Sequence, residues 1–487
     1  MSGLLSIAKS GLDSSKKAIQ TTGHNIANAN TDGYSRQRVD QTTGTPIRNS
    51  GLIMGTGSRV RGVNRVEENT LEKRLEGAIS ENEYFKERLL QLEQTQEIFN
   101  EIENDGLNKV LNNFFNSFRQ LSSQPENETL RSIVRDNAKL VCNDFNRIKE
   151  SLNAISHGID NKISAEVVDI NLTIEHLANI NKKIAILESN NEEVGDLRDQ
   201  RDEGVRKLSE NFKIHTFFDN RGNFAINADG VGTLVSAGQF IKLQANKQSK
   251  SKSGNNMAGS VELFLEGRPS TAISKKFHQG KINALFKVRN ADVKEFQDKI
   301  DLIAYTFAKS VNAIHKKGYA NKNIHMDINN NPIEKSDQGP ISNINFFKEV
   351  NSIDDAANNI TLSREIKSDL RNIVTALGPN GPGDNRVSLA ISKLQHEKLM
   401  NNRTATIEEI FLQSIGKVGL SAGKARLESE QSYGLIAQTK ALKERITGVS
   451  LDEEAANLIK YQHAYAASAK VMKTAEEMFQ TLLGIKR

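Results

Sequence analysis

The sequence predicts a mainly α protein of the α+β class. Terminal heptad helices form a coiled coil, long helices form a bundled middle domain, and one small antiparallel β domain is inserted. Three observations predict this. Apolar residues recur at helical spacing over most of the chain. The pattern switches to short alternating runs after Phe212 and back to helical spacing near Gly280. None of the 7 prolines in 487 residues precedes Pro46 or follows Pro382, so both ends are free to be helical. A hydrophobic content of 37% with no tryptophan fits an elongated chain that buries thin seams rather than a thick core.

At the N-terminus, Leu5, Leu12, Ile19 and Ile26 are spaced by seven, and Ala8, Ser15, Thr22 and Ala29 follow each by three. This is a heptad with large a and small d positions, which lets a partner helix approach closely while burying little area. The far end repeats the pattern with Leu451, Leu458, Tyr465, Met472 and Phe479 in one row. Tyr461, Ser468, Ala475 and Leu482 form the other, after a Ser450/Glu453 capping box. The two ends are expected to pair. Each stripe is too thin to hold a lone helix in water, so residues 1–30 and 450–487 are expected to stay unfolded in the free chain until neighbours cover them.

Between the ends, Leu71, Leu75, Ala78, Asn82, Phe85, Leu89, Leu92, Gln96 and Phe99 alternate by four and three, opened by Asn69 with Glu72 as cap. Leu107, Leu111, Phe114, Phe118 and Leu121 form a second run. Ile163, Val167, Ile170, Ile174, Leu177, Asn181 and Ile184 form a third, in which Asn181 either sets register or falls where the seam is wet. Further helices are expected over 291–316 and 404–446. The domains implied are a terminal coiled coil (1–31 with 447–487), a helical middle domain (32–212 with 280–446) and an antiparallel β domain (213–279). Residues 318–350 make an irregular excursion, and Phe346-Phe347 is expected to run quickly into helix.

The net charge is +5, yet residues 1–66 hold nine Lys or Arg against three Asp. Nucleic-acid binding would pair such charge with aromatics, and Tyr34 is the only aromatic there, so solvated helix faces are the expected setting and no nucleic-acid partner is expected. The single Cys142 excludes an intrachain disulfide or a thiolate metal cage and reads as a buried thiol. No apolar run reaches ~18 residues, so no membrane span is expected. The first residues also lack the apolar core of a secretory signal.

No stretch carries a site for chemistry. Asp327–Gln338 begins like a calcium loop, but Pro332 stands where Gly is needed and Gln338 where a bidentate Glu is needed. Leu377–Arg386 lacks the Gly-Lys-Ser/Thr ending of a phosphate loop. The nine histidines form no metal pair, and Ser236 is not flanked as a nucleophile. No catalytic residue, metal or cofactor is expected, and the chain reads as a non-enzyme.

The stretch His24–Val39, HNIANANTDGYSRQRV, follows the first heptad. With heptads at both termini it closely resembles the axial family of bacterial flagellar proteins, which comprises rod, hook and hook-associated subunits. The resemblance rests on Asn25, Ile26, Ala27, Asn28, Thr31, Gly33, Tyr34 and Arg36. Asn28 suits a helix end, Gly33 a positive φ, and Tyr34 an anchor for the turn. Asp196–Phe212, Gly280–Asn290 and Thr447–Leu483 resemble the hook-associated type in particular. The resemblance implies a structural subunit at the junction of hook and flagellin filament, exported unfolded with no cleaved signal and assembled extracellularly as a ring. Its implied partners are copies of itself, the hook protein, the second junction protein with flagellin beyond it, and an export chaperone with the export apparatus. The assembly seam would comprise Leu5, Leu12, Ile19, Ile26, Leu451, Leu458, Tyr461, Tyr465, Met472, Phe479 and Leu482. The elbow motif would comprise Asn25, Asn28, Thr31, Gly33, Tyr34 and Arg36. The alternatives are a hook or distal-rod subunit, or a secreted adhesin or enzyme that borrows flagellar termini for export.

Overall fold

The computed structural model describes residues 2–49, 52–99, 106–190, 192–247, 259–320, 324–326, 332–334, 341–379, 381 and 383–485. Helix α1 (Ser2–Ala27) and the last helix, α12 (Leu451–Ile485), pack along each other as the two heptads require. They run antiparallel. Gly11 faces Ser468, while Ala18 and Thr22, nearer the end of α1, share a cleft with Asn457 and Tyr461 near the start of α12. The buried face of α1 is made of small residues, Ala8, Ser15, Ala18 and Thr22, with Ala475 opposite on α12.

Residues 37–65 were expected within the helical domain and form a β arm instead. Strand β1 (Gln37–Thr43) pairs antiparallel with β4 (Ser58–Arg65), with a bulge at Asp40/Gln41. The ribbon continues through β2 (Ile47–Asn49) and β3 (Leu52–Met54). The reason lies in the alternation of Arg59, Val60 and Arg61 and in the Gly and Pro residues between strands, a period-two signal that opposes helix. The cations Arg38, Arg48, Arg59, Arg61 and Arg65 therefore lie on strands and not on helix faces.

The body is built from α2 (Asn69–Glu97), α3 (Leu107–Ser123), α4 (Glu128–Ser189) and α5 (Gly195–Ser209). With 62 residues, α4 is about 90 Å long. It starts where the Asn127 side chain accepts from the backbone N–H groups of Thr129 and Leu130. Its third-run residues, Asn181 included, are all buried, and among the described residues neither polar atom of the Asn181 amide has a hydrogen-bond partner. The expected Asn69/Glu72 cap of α2 is not made: Glu68 occupies the N-cap, and the Glu72 carboxylate is taken by Arg206 and Lys443.

A four-stranded antiparallel sheet follows, formed by β5 (Ile214–Phe218), β6 (Phe224–Ala228), β7 (Gly232–Ser236) and β8 (Gln239–Phe240). The hairpin of β9 (Leu243–Lys247) and β10 (Val261–Leu265) completes the strand region. Its apolar side joins the same core as α4, and the buried Arg289 guanidinium binds both Asp160 of α4 and the Val261 carbonyl of β10. The helix expected from 291 begins earlier, at α6 (Gly280–Lys287). It passes through a π-helical turn at Val288–Val293 into α7 (Lys294–His315).

Beyond it lie a two-stranded piece, β11 (Ile324–Met326) with β12 (Pro332–Glu334), and the short helices α8 (Ala356–Asn359), α9 (Arg364–Ser368) and α10 (Arg386–Lys393). The rest of the Asp327–Gln338 stretch is outside the described residues. Phe346 and Phe347 do not enter helix. They are fully buried in an extended segment, Phe346 packing edge-on against Phe114 and Phe347 against Phe307. The N–H of Phe346 and that of Phe347 both donate to the Asn312 side chain, which fixes them there. Helix α11 (Ile407–Thr447) opens with a complete capping box at Thr406 and Glu409 and lies along α2.

Candidate functional site

The elbow motif sits where α1, the β arm, α5 and the start of α12 meet. Asn25 organises it. Its side-chain oxygen accepts from the Tyr34 hydroxyl at 2.8 Å and from the Gln37 N–H at 3.0 Å, while its NH2 donates to the Gln37 carbonyl at 2.9 Å. The amide thus behaves like a strand partner for Gln37 and turns the chain from helix into β1. The Asn28 side-chain amide donates to the His24 carbonyl at 3.0 Å, which also accepts from the Asn28 backbone N–H at 3.1 Å, so Asn28 ties off the helix end twice. Thr31–Tyr34 is a turn closed at 3.2 Å, with Gly33 at its third position and φ of +81°. A Cβ on Gly33 would lie 3.1 Å from the Arg206 guanidinium.

Arg36 locks the elbow to the C-terminal helix. Its guanidinium binds Glu454 at 2.7 Å and Glu453 at 2.6 Å, and its backbone N–H donates to the Thr447 carbonyl at 2.8 Å. Burial works against its charge, but Glu453 and Glu454 hold the guanidinium above its ordinary pKa. Ser450 still accepts from the Glu453 N–H at 3.4 Å, but the Glu453 carboxylate faces Arg36, so the expected capping box is half made.

The acidic face of α5 completes the site, and sequence reasoning missed this role. Asp199 accepts from the Ser35 N–H at 3.0 Å and from Arg65 at 2.9 Å, while Asp202 pairs with Arg65 at 2.6 Å. Asp196 accepts from Gln37 at 2.7 Å and lies 3.2 Å from His24. Burial keeps the Asp199 carboxyl above its usual range despite these donors. Burial first, then the carboxylates of Asp196, Asp199 and Glu454, push the Tyr34 phenol well above its ordinary value, which keeps it a donor. The missed signal was available, because Asp196, Asp199, Asp202 and Glu203 recur at helical spacing within the stretch that resembles hook-associated proteins.

The seam residues have a different setting. Leu5, Leu12, Ile19, Ile26, Leu458, Tyr461 and Met472 are half-buried, while Leu451, Tyr465 and Phe479 are exposed; the side chain of Leu482 is outside the described residues. The small d layer is what α1 and α12 cover on each other, and the large residues rim an apolar edge that faces solvent.

The elbow joins the end of α1 and the β arm to α5 and to the start of α12 through hydrogen bonds and ion pairs. A family profile for the flagellar hook-associated protein FlgK helical domain matches residues 92–328, and one for the flagellar basal body rod FlgEFG protein C-terminal region matches 445–485. Flagellar hook-associated protein 1 of Bacillus subtilis is 26% identical across 98% of this chain and 97% of its own length. The protein of the same name from Salmonella typhimurium is 22% identical over the full length of both. The solved structure of the flagellar hook junction protein FlgK from Burkholderia pseudomallei has the same fold, with a TM-score of 0.63 and 14% identity, over 78% of this chain and all of that one. The profiles and the full-length relatives support a structural component of the bacterial flagellum. Within that class, the helical-domain profile and the full-length relatives make the chain similar to the FlgK-type flagellar hook-associated proteins.

Proposed function

We infer that the chain forms the junction between the hook and the flagellin filament, assembled as a ring and acting without catalysis. The observation that carries this is similarity to proteins called hook-associated protein 1 over essentially the whole chain, termini included. In this reading the terminal pair is the inner layer and the long helices are the middle layer. The strands of 213–279 lie outward, and Asn25, Asn28, Thr31, Gly33, Tyr34 and Arg36 set the angle between layers. The exposed rim of Leu451, Tyr465 and Phe479 meets copies of the chain, with the hook protein on one side and the second junction protein, then flagellin, on the other. Export proceeds unfolded through the flagellar export apparatus with a chaperone, and the protein is extracellular. A thin seam of small residues supports this, because such helices gain stability chiefly from neighbours.

Deletion of the gene tests the reading. Hooks without filaments, with flagellin released into the medium and immunogold label at the hook tip in the wild type, are the expected result. The match of residues 445–485 to the rod-type C-terminal region favours a second reading as a hook or rod subunit. That reading predicts loss of the hooks themselves.

A further inference from the structure

Residues 37–65, the β arm, carry five arginines against the single carboxylate of Asp40. Arg65 is committed to the body, where Asp199 and Asp202 hold it beside Glu67. The other four, Arg38, Arg48, Arg59 and Arg61, are exposed, and among the described residues none of them makes an ion pair or a side-chain hydrogen bond. Strand register sorts the arm into two faces. Val39 pairs with Val63 and Gln41 with Val60, so the three valines share one side. That side lies against α1: the valines are half-buried, and Ser58 reaches Ser14 at 3.0 Å. The opposite side carries Arg38 across from Asn64 and Arg59 across from Thr42, all exposed. Arg61 is the extra residue of the bulge between these pairs, because Asp40 pairs with Gly62 and Gln41 with Val60. Arg48 lies farther out, on β2.

The chemistry of this face selects its occupant. A guanidinium is weakly hydrated and shaped for paired bonds to carboxylates, and like charges crowded on a narrow ribbon gain most from an acidic partner. The same chemistry already operates at the base of the arm. Arg36 docks on Glu453 and Glu454 of α12, and Arg65 docks on Asp199 and Asp202 of α5, so each binds an acidic helix face. Nucleic acid would call for aromatics to stack on bases, and residues 37–65 contain none. Ile47 and Met54, paired across the tip of the arm and exposed, add the apolar contact that a protein surface offers.

We propose that the arginine face of the β arm docks a carboxylate-bearing protein surface on a neighbouring subunit of the flagellum. Arg36 and Arg65 join the arm to its own subunit, and Arg38, Arg48, Arg59 and Arg61 join it to the next. This inference rests on the reading above of the chain as a subunit assembled in the flagellum.

The test uses the full-length chain expressed in a flagellated strain that lacks its own copy. Arg59→Lys with Arg61→Lys keeps both charges and supplies amines, which a water-soluble carbodiimide couples to carboxylates in direct contact. Guanidinium groups do not couple, so wild-type flagella are the control. Isolated flagella are treated with the carbodiimide and the products mapped by mass spectrometry. Species larger than the monomer, in which residue 59 or 61 is joined to an Asp or Glu, are expected from the variant and not from the wild type. The proposal is overturned if the variant is present in the flagella yet residues 59 and 61 couple only within monomer-sized species, or not at all. Should the wild-type protein itself be absent from flagella, the flagellar reading fails and takes this contact with it. Arg48→Glu with Arg59→Glu and Arg61→Glu supplies a second measurement, because all three sites are exposed and the monomer keeps its circular dichroism. Incorporation into flagella should fall by at least about tenfold. Wild-type incorporation of that folded variant would also overturn the contact. A DNA duplex or an anionic phosphatidylglycerol vesicle retained by the purified wild type at physiological salt, and released by the same charge reversal, would overturn it in favour of a polyanion.

Discussion

Glu76 of α2 offers a quantitative test of the packing beneath the elbow. It is 5% exposed and makes no hydrogen bond or salt bridge among the described residues, one turn from the Glu72 that Arg206 and Lys443 hold. Burial, then the nearby carboxylates of Glu72 and Asp202, raise its carboxyl from 4.5 to about 8 against the pull of Arg206 and Lys73. In the folded protein Glu76 therefore keeps its proton up to about pH 8, whereas in the unfolded chain it ionises near pH 4.5. Between those values the folded state binds more protons, so this group's contribution to stability is intact below pH 4.5. It is lost as pH rises towards 8. The full gap corresponds to about 5 kcal/mol, an upper figure because the buried site relaxes and admits water on ionisation. Glu76→Gln keeps the shape and removes the titration. Urea unfolding of both proteins at pH 5, 7 and 9 should show near-equal stability at pH 5. The variant should be ahead by about 2–5 kcal/mol at pH 9. A difference that stays flat from pH 5 to 9 would refute the reasoning, because it would mean Glu76 is ionised and solvated in the folded state.

His315 works in the opposite direction. Fully buried, it bridges the Ile344 carbonyl and the Val374 N–H, and burial lowers it to about 4, so stability should fall by about 3 kcal/mol as pH drops from 6.5 to 4. A His315 variant that still folds should lose that slope in urea titrations. Arg36→Met should cost about 3–5 kcal/mol in the local stability of the elbow, because it strands Glu454, which is 2% exposed. Arg36→Met with Glu454→Gln should recover much of that, as read by amide exchange at Gln37–Thr43 in assembled flagella. Gly33→Val places a β-branched residue at φ of +81° against Arg206, costing about 1–3 kcal/mol, and Tyr34→Ala removes the hydroxyl that Asn25 accepts. Both subunits should be secreted yet cap hooks poorly, with flagellin found in the medium. Tyr465→Asp with Met472→Asp should leave the circular dichroism of the monomer unchanged, since Tyr465 is exposed and Met472 half-buried, while abolishing incorporation into flagella.

Helical periodicity made the long elements legible, because one buried stripe repeats in each: every residue of the Ile163–Ile184 run is buried, and the strand region begins two residues after Phe212. Legibility failed where a polar partner distant in sequence decides the local structure. Glu72 looks like a cap until Arg206 and Lys443 take its carboxylate, and Phe346-Phe347 looks like a helix start until Asn312 claims both N–H groups. The β arm was missed for a related reason. Its strands are dominated by Arg, Gln and Thr, so they carry little apolar pattern of their own, and β1 pairs with β4 across the β2–β3 hairpin. The elbow shows both behaviours at once. Gly33, Asn25 and Tyr34 could be assigned to a turn from their chemistry, but Asp196, Asp199 and Asp202 stand more than 150 residues away in sequence, and only packing brings them beneath it. That division has a physical consequence for assembly. A turn encoded locally can form early in folding, whereas its contacts with α5 and α12 wait for the body to fold. The contacts that join the terminal pair to the body therefore form last, when Arg36 reaches Glu454 and Arg65 reaches Asp199.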